Sequence, residues 1–333
     1  MSAVKAMVSI VIPVYNEEAC LPALFERLKQ WLAGIEDFDT EILFVDDHSS
    51  DATSSLLAKT CEQQSTWRFL RLATNSGSHI AIFAGLEHTQ GDCAVFLAAD
   101  LQDPPELISD MVKRWQEGQQ VVWAVREKRD GVPASEMLFA NTFYWLMNRF
   151  SFITVPPKGS DFALLDQRVI QALRTSMSAS PYLMGEIARL GFSQSKLFYT
   201  KAERVDGETK WNLSRKLQLV ADAFTGFSFV PIRLMSYLGM AASLLGLIYT
   251  VVVILNKIIV GGPVDGWSSL MVVVLLMGGF QMTMLGVLGE YLWRTLEESR
   301  QRPKYFVESA GNIAAPEPLG EQKVPDGEHS ENE

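Results

Sequence analysis

Cysteine is scarce in this chain: Cys20, Cys61 and Cys93 are the only ones in 333 residues, and they sit in unrelated segments. Without metal-type spacing among them, all three read as reduced and structural. Basic residues are in deficit, 29 Lys and Arg against 39 Asp and Glu, for a formal net charge of −10. No basic stripe interleaved with aromatics offsets this balance, which argues against a nucleic-acid partner. Glycine-rich phosphate loops are missing too: neither a Walker pattern nor G-x-G-x-x-G occurs, so no glycine-rich helix start holds a phosphate. No repeat at a solenoid period is visible. The opening "MSAVKAMVSIVIPVYNEE" carries no cleavable signal pattern, so the large domain that follows is expected to stay in the cytoplasm.

Charge is absent from two long stretches, Met235 to Leu255 and Trp267 to Gly289. Each exceeds the roughly 20 residues that cross a hydrocarbon core. Two buried core helices are the weaker reading, because globular helices of that length normally show a polar face. The intervening Asn256 to Gly266 carries only Lys257 and Asp265, whereas Arg233 precedes the first run and Arg294, Arg300, Arg302 and Lys304 follow the second. This bias places both flanks on the cytoplasmic side of the inner (plasma) membrane, as a multi-pass protein. Gly239, Ala242 and Gly246 permit close helix contact, which leaves a homo-oligomer open.

What precedes these runs alternates short apolar segments with helical patterns. Strands are predicted at Met7–Tyr15, Glu41–Asp47, Trp67–Ala73 and Cys93–Asp100, helices at Glu17–Ile35, Asp51–Gln64 and His79–Thr89. "QVVWAVRE" continues the sheet, and Asp103 with Pro104 and Glu106 predicts a helix capped at Asp103. The pattern implies an α/β fold, a mostly parallel sheet with helices on both faces. From Trp211, "WNLSRKLQLVADAFTGFSFVPIRL" begins as an amphipathic helix with Arg215 and Lys216 beside Leu213, Leu217, Leu219 and Val220, suited to a membrane interface. The tail "PEPLGEQKVPDGEHSENE" is polar, proline-bearing and expected to be disordered in part.

Ligands of open parallel sheets bind beyond the carboxyl ends of the strands. Those ends read "PVYNEE", "VDDHSSD", "TNSGS" and "ADLQD" in order. One such carboxylate is ordinarily a turn or helix cap; four consecutive polar strand ends are hard to explain as capping. A carboxylate-lined site repels a diphosphate unless a cation intervenes. Asp100 and Gln102 offer oxygen donors two residues apart, which suits Mg²⁺ or Mn²⁺.

"SIVIPVYNEE", "ILFVDDHSSD", "NSGSHIAIFAGL" and "ADLQDPPELI" together resemble the successive motifs of family 2 inverting glycosyltransferases, whose catalytic domain has the Rossmann-like GT-A fold. "SDFALLD", "GETKW" and "LGEYLWRTLEESRQRPKYFV" narrow the likeness to the branch of dolichol-phosphate mannose synthase and the two-span bacterial polyprenyl-phosphate glucosyltransferases. The likeness runs from Val8 to Val307. It implies a GT-A catalytic domain over 1–210, an amphipathic juxtamembrane segment over 211–233, two transmembrane helices within 234–293 and a cytoplasmic tail over 294–333.

Carried over residue by residue, the resemblance implies that Pro13, Tyr15, Glu17 and Asp46 hold the base and ribose, with Asp47 and Asn75 in the same nucleotide site. Asp100 and Gln102 would bind the metal that bridges the diphosphate. Asp161 lies near the acceptor as candidate base, and Arg126, Arg129, Arg204 and Lys210 handle phosphates. Three positions depart from the family. Ala98 stands where relatives carry the first acid of D-A-D-L-Q, Glu136 near a common lysine, and His48 at a common glycine, in a turn that asks for positive φ. The implied reaction moves a hexose, with UDP-glucose the leading donor, from a nucleoside diphosphate to a polyprenyl (undecaprenyl) phosphate at the cytoplasmic membrane face. The attacking phosphate is already largely ionised near neutral pH, its second pKa being about 6, so Asp161 orients more than it deprotonates. A modified sugar such as an aminoarabinose, or a weakly catalytic nucleotide-sugar-binding scaffold favoured by Ala98, stays open. A processive synthase is less expected, since the additional spans and a Q-x-x-R-W pattern are missing.

Overall fold

The computed structural model describes residues 5–126, 161–176, 182–200, 230–260, 266–300 and 302–312. Its strands are β1 (Met7–Val14), β2 (Asp39–Asp46), β3 (Trp67–Leu72), β4 (Cys93–Phe96), β5 (Val121–Arg126), β6 (Ala163–Asp166), β7 (Gln194–Tyr199) and β8 (Val307–Gly311). Among the described residues they form one eight-stranded sheet in the order β7-β5-β6-β4-β1-β2-β3-β8. β4, β1, β2 and β3 run parallel, as do β5 and β7. β6 is antiparallel to both β4 and β5, and β8 is antiparallel to β3. The sheet is therefore mixed around a parallel centre, and β5 continues it only through the inserted β6.

Side-chain alternation divides the core in two. Val8, Ile10, Ile12 and Val14 of β1 face α1 (Leu21–Leu32), α2 (Thr53–Gln63) and α4 (Leu107–Gln116), in one cluster with Phe25, Leu57 and Met111. Val11, Leu43, Val45 and Leu70 face the other way, toward α3 (Ser78–Glu87), α5 (Gln167–Ser176) and α6 (Leu183–Arg189). α3 is buried from Ile80 through Leu86 because it lies between the sheet and α5 and α6. Gly85 makes that position accessible: a Cβ there would stand 2.3 Å from Val11 Cγ1.

The helix after β4 begins later than its sequence predicts. Pro104 and Pro105 accept i+3 bonds from Leu107 and Ile108 N–H in a turn, and α4 starts at Leu107 with Glu106 as N-cap. Asp103 is 1 % exposed and is not the N-cap residue of α4; its Oδ1 accepts from the Tyr199 hydroxyl at 2.5 Å.

α7 (Val230–Val260) and α8 (Trp267–Ser299) lie against each other. Among the described residues one helical stretch, Ile232–Asn256, is long and apolar enough to cross a membrane, and none of it is buried. Leu270, Val274, Leu276, Phe280 and Leu285 on α8 are exposed as well. After α8 the chain returns to the sheet as β8, so residues expected in the C-terminal tail complete the β3 edge.

Candidate active site

Three of the four non-glycine residues with positive φ among the described residues follow central parallel strands: Asn16 (52°) after β1, His48 (62°) after β2 and Leu101 (60°) after β4. Such backbone is uncommon outside glycine and collects where surrounding structure over-determines it. The turn that asks for glycine at position 48 thus does adopt the left-handed region, with histidine in it.

The loops after β1 and β2 interlock. Asn16 N–H donates to Ser49 Oγ at 2.9 Å, while Ser50 N–H returns a bond to Asn16 Oδ1 at 2.8 Å. Glu17 N–H donates to Thr53 Oγ1 and Ala52 N–H to Glu18 Oε2, each at 2.9 Å. Glu18 N–H also donates to Asp51, whose carboxyl is held below its ordinary value by the Thr53 hydroxyl and N–H, against the opposing effect of burial. Tyr15 projects from this bracket at 38 % exposure, with Pro13 half-buried beneath.

Asp46 and Asp47 are buried inside the loops they were expected to open to a nucleotide. Asp46 Oδ1 accepts from Ser49 N–H at 2.9 Å and Oδ2 from Arg71 at 2.6 Å. Asp47 accepts from Ser76 and Gly77 N–H at 2.7 and 2.8 Å, which ties the loop after β3 to β2. Burial raises the Asp47 pKa, and the two N–H donors counter that rise. These carboxylates brace the loops from within, while Asn75 and Tyr15 are exposed.

Asp100 and Gln102 stand together at the end of β4, where Gln102 N–H donates to Asp100 Oδ1 at 3.1 Å. Among the described residues no group of three or more His, Cys, Asp or Glu forms a metal cage. One carboxylate and one amide, both oxygen donors, fit a hard cation shared with a ligand's phosphates and do not fit an all-protein site.

Beyond them, Arg126 ends β5 and Asp161 precedes β6, with Arg126 Nη2 at 3.6 Å from Asp161 Oδ2. The side chains are 18 % and 58 % exposed, so the carboxylate faces solvent from a more buried cation. Arg126 Nε donates to the Tyr199 hydroxyl at 3.4 Å, and that hydroxyl donates to Asp103. Burial opposes the guanidinium's charge, but Asp161 and then Tyr199 raise its pKa. Burial and Asp103 together push the Tyr199 phenol up. His79, in the first turn of α3, was not singled out from sequence. Its ring lies tilted at 51° against Tyr182 with centroids 5.8 Å apart, and burial lowers its pKa against the pull of Asp161. The one available signal was a basic residue at the start of an otherwise apolar helix. Arg129, Arg204, Lys210 and Glu136 lie outside the described residues.

A doubly wound α/β sheet with polar groups gathered at its parallel strand ends defines a protein that receives a polar ligand across those ends. The model of the family described as "Glycosyl transferase family 2" matches residues 9–174. "Uncharacterized glycosyltransferase YkcC" of Bacillus subtilis (strain 168) is 37 % identical over 305 residues, covering 92 % of this chain and 94 % of that one. "Prophage bactoprenol glucosyl transferase homolog" of Escherichia coli (strain K12) is 33 % identical over 300 residues, 90 % of this chain and 98 % of that one. Among solved structures, the mannosyltransferase PcManGT from Pyrobaculum calidifontis in complex with GDP-Man and Mn²⁺ aligns with a TM-score of 0.48 at 16 % identity, over 87 % of this chain and 88 % of that one. The chain belongs to glycosyl transferase family 2 and is a glycosyltransferase.

Proposed function

We propose that the protein transfers glucose from UDP-glucose, with inversion, to a polyprenyl phosphate at the cytoplasmic face of the membrane. The observation that carries this reading is the reach of the likeness. Relatives named bactoprenol glucosyl transferase align over 90 % or more of this chain, beyond the sheet and through the apolar helices. A prenyl tail stays in the bilayer, so a domain acting on its phosphate must sit at the surface. The stretch Ile232–Asn256, long and apolar enough to cross a membrane, supports that placement, as does the uncharged run from Trp267 to Gly289, read as a second span.

The roles follow from the chemistry at each strand end. Tyr15, Pro13, Glu17 and Asn75 receive base and ribose on the bracket that Asp46 and Asp47 hold rigid. Asp100 and Gln102 would hold Mg²⁺ or Mn²⁺, which when bound neutralises charge on the departing diphosphate. An acceptor phosphate oxygen forms the new bond to the anomeric carbon as the bond from that carbon to the UDP oxygen breaks. Arg126 attracts the phosphates, assisted by Arg129, Arg204 and Lys210. Asp161 orients the acceptor, with the Arg126 guanidinium 3.6 Å from its carboxylate. Donors and charges fixed in advance contribute most where charge moves without a strong base.

Purified membranes given labelled UDP-glucose and undecaprenyl phosphate, with and without EDTA, test the reading. A lipid-linked glucose that vanishes on chelation is the expected result. Retained nucleotide with no lipid-linked sugar would instead favour a binding scaffold.

A further inference from the structure

The strand that closes the β3 edge arrives from beyond both long helices, and it reaches the nucleotide side of the sheet. Ala73 N–H donates to Phe306 O at 2.8 Å, and β8 then pairs with β3 across an irregularity between Arg71 and Leu72. Glu308 Oε2 accepts from Arg71 Nε at 2.8 Å and stands 3.3 Å from His48 Nδ1. The same guanidinium donates to Asp46 at 2.6 Å and to Ser49 O at 3.1 Å. Ser49 Oγ in turn receives Asn16 N–H from the loop after β1. A short chain of bonds thus runs from the segment that follows α8 to the bracket carrying Tyr15.

An exposed ion pair alone contributes little to stability. Here it fixes one corner of a guanidinium shared among three acceptors, of which Asp46 ends β2 and Ser49 lies in the loop after it. It also engages His48, whose left-handed backbone sets that loop's course. Two further residues, making three hydrogen bonds, hold the same segment away from the site. Asn312 Nδ2 donates to Cys61 O and Trp67 O, and the Tyr305 hydroxyl donates to Glu87.

We propose that β8 latches the nucleotide-receiving loops, with Glu308 as a positioning residue that acts on the donor through Arg71 and His48. The proposal rests on the nucleotide site assigned above. It makes donor affinity depend on a segment on the far side of the membrane helices in sequence.

The test uses the full-length chain in nanodiscs and compares wild type with Glu308→Ala, Glu308→Gln and Asn312→Ala. Amide exchange over residues 46–53 is measured without ligand, UDP affinity by titration, and KM for donor and acceptor separately. Glu308→Ala is expected to speed exchange in that loop and weaken UDP about five-fold, the lower end of usual site coupling, with acceptor KM unmoved. Glu308→Gln, which retains an acceptor oxygen, should fall between it and wild type. Asn312→Ala should lower the melting midpoint and leave UDP affinity as it was. Equal UDP affinity in wild type and Glu308→Ala overturns the proposal, as does equal weakening by Asn312→Ala, which marks a general effect of strand loss. Wild-type protein that binds no UDP refutes the nucleotide site itself, a distinct result.

Discussion

Asp161 stands between two groups that act on it differently: the Arg126 guanidinium at 3.6 Å, and the imidazole of His79, whose charging burial resists. Replacing Asp161 by Asn removes the charge and keeps the shape. Turnover should fall by about 10²-fold or more, the scale of a lost positioned acid–base or electrostatic group. UDP affinity should hold if Asp161 serves the acceptor as proposed; a loss in UDP binding instead of turnover would reassign it. His79 adds a pH signature. Its folded pKa lies below the ordinary 6.5. As pH drops through 6.5 the unfolded chain takes up a proton that the folded chain resists, and stability is lost until the lower native value is passed. Above 6.5 this group contributes no slope. Wild type should therefore lose more of its melting midpoint than His79→Gln between about pH 7.5 and pH 5.5, and parallel curves would refute a buried neutral imidazole. Of these groups, Asp161 and Arg126 were legible from motif and strand-end position. His79 was not, because nothing in "NSGSHIAIF" says which first-turn residue of α3 packs against Tyr182.

Elements show why the rest was only partly legible. The alternation of apolar runs and helical periods gave β1 to β5 and α1 to α3, since the central strands bury both faces, α1 and α2 bury one, and α3 reads as a continuous apolar run. Asp103 was misread as an N-cap because the D-P-P-E pattern is locally sufficient for a capped start, whereas the long-range Tyr199 bond that claims its carboxylate lies 96 residues away. β8 escaped notice for a similar reason: "VESAG" has little strand character of its own, and pairing with β3 alone makes it one. Gly311 permits that pairing, since a Cβ there would lie 2.2 Å from the Phe69 ring. At the opposite ends of the central strands, Glu41 accepts from Arg68 at 2.5 Å, from Ser9 Oγ and from Gln90 N–H, with both ionic side chains 7 % exposed. Glu41→Ala strands a buried guanidinium and should cost about 3–5 kcal/mol. Since this network lies across the sheet from the site, the folded fraction should retain wild-type donor KM. A changed KM would show that the two strand ends are not independent.

For the whole molecule, the chain leaves the sheet after β7, runs through α7 and α8, and comes back as β8. The apolar helices are thus an excursion between strands of one sheet and not an appendage at its end. α8 makes the return physically reasonable: its 33 residues span about 50 Å at 1.5 Å each, more than the roughly 30 Å of a hydrocarbon core. With α8 as the second span proposed above, that surplus would carry the chain toward the β3 edge. A soluble domain made by stopping at Arg233 would then lose β8 along with the helices and leave β3 as an open strand edge, a template for aggregation. Excising 230–300 and joining the ends with a flexible linker would keep it. The truncated chain should melt about 4–8 °C below the excised one, the shift expected for a loss of about 2 kcal/mol in a domain of this size. It should also self-associate more readily and bind UDP more weakly. Both should float with lipid vesicles far less than the full chain. Identical melting of the two soluble forms would mean that β8 adds nothing to the sheet it joins, and the anchor could then be detached from catalysis by a single cut.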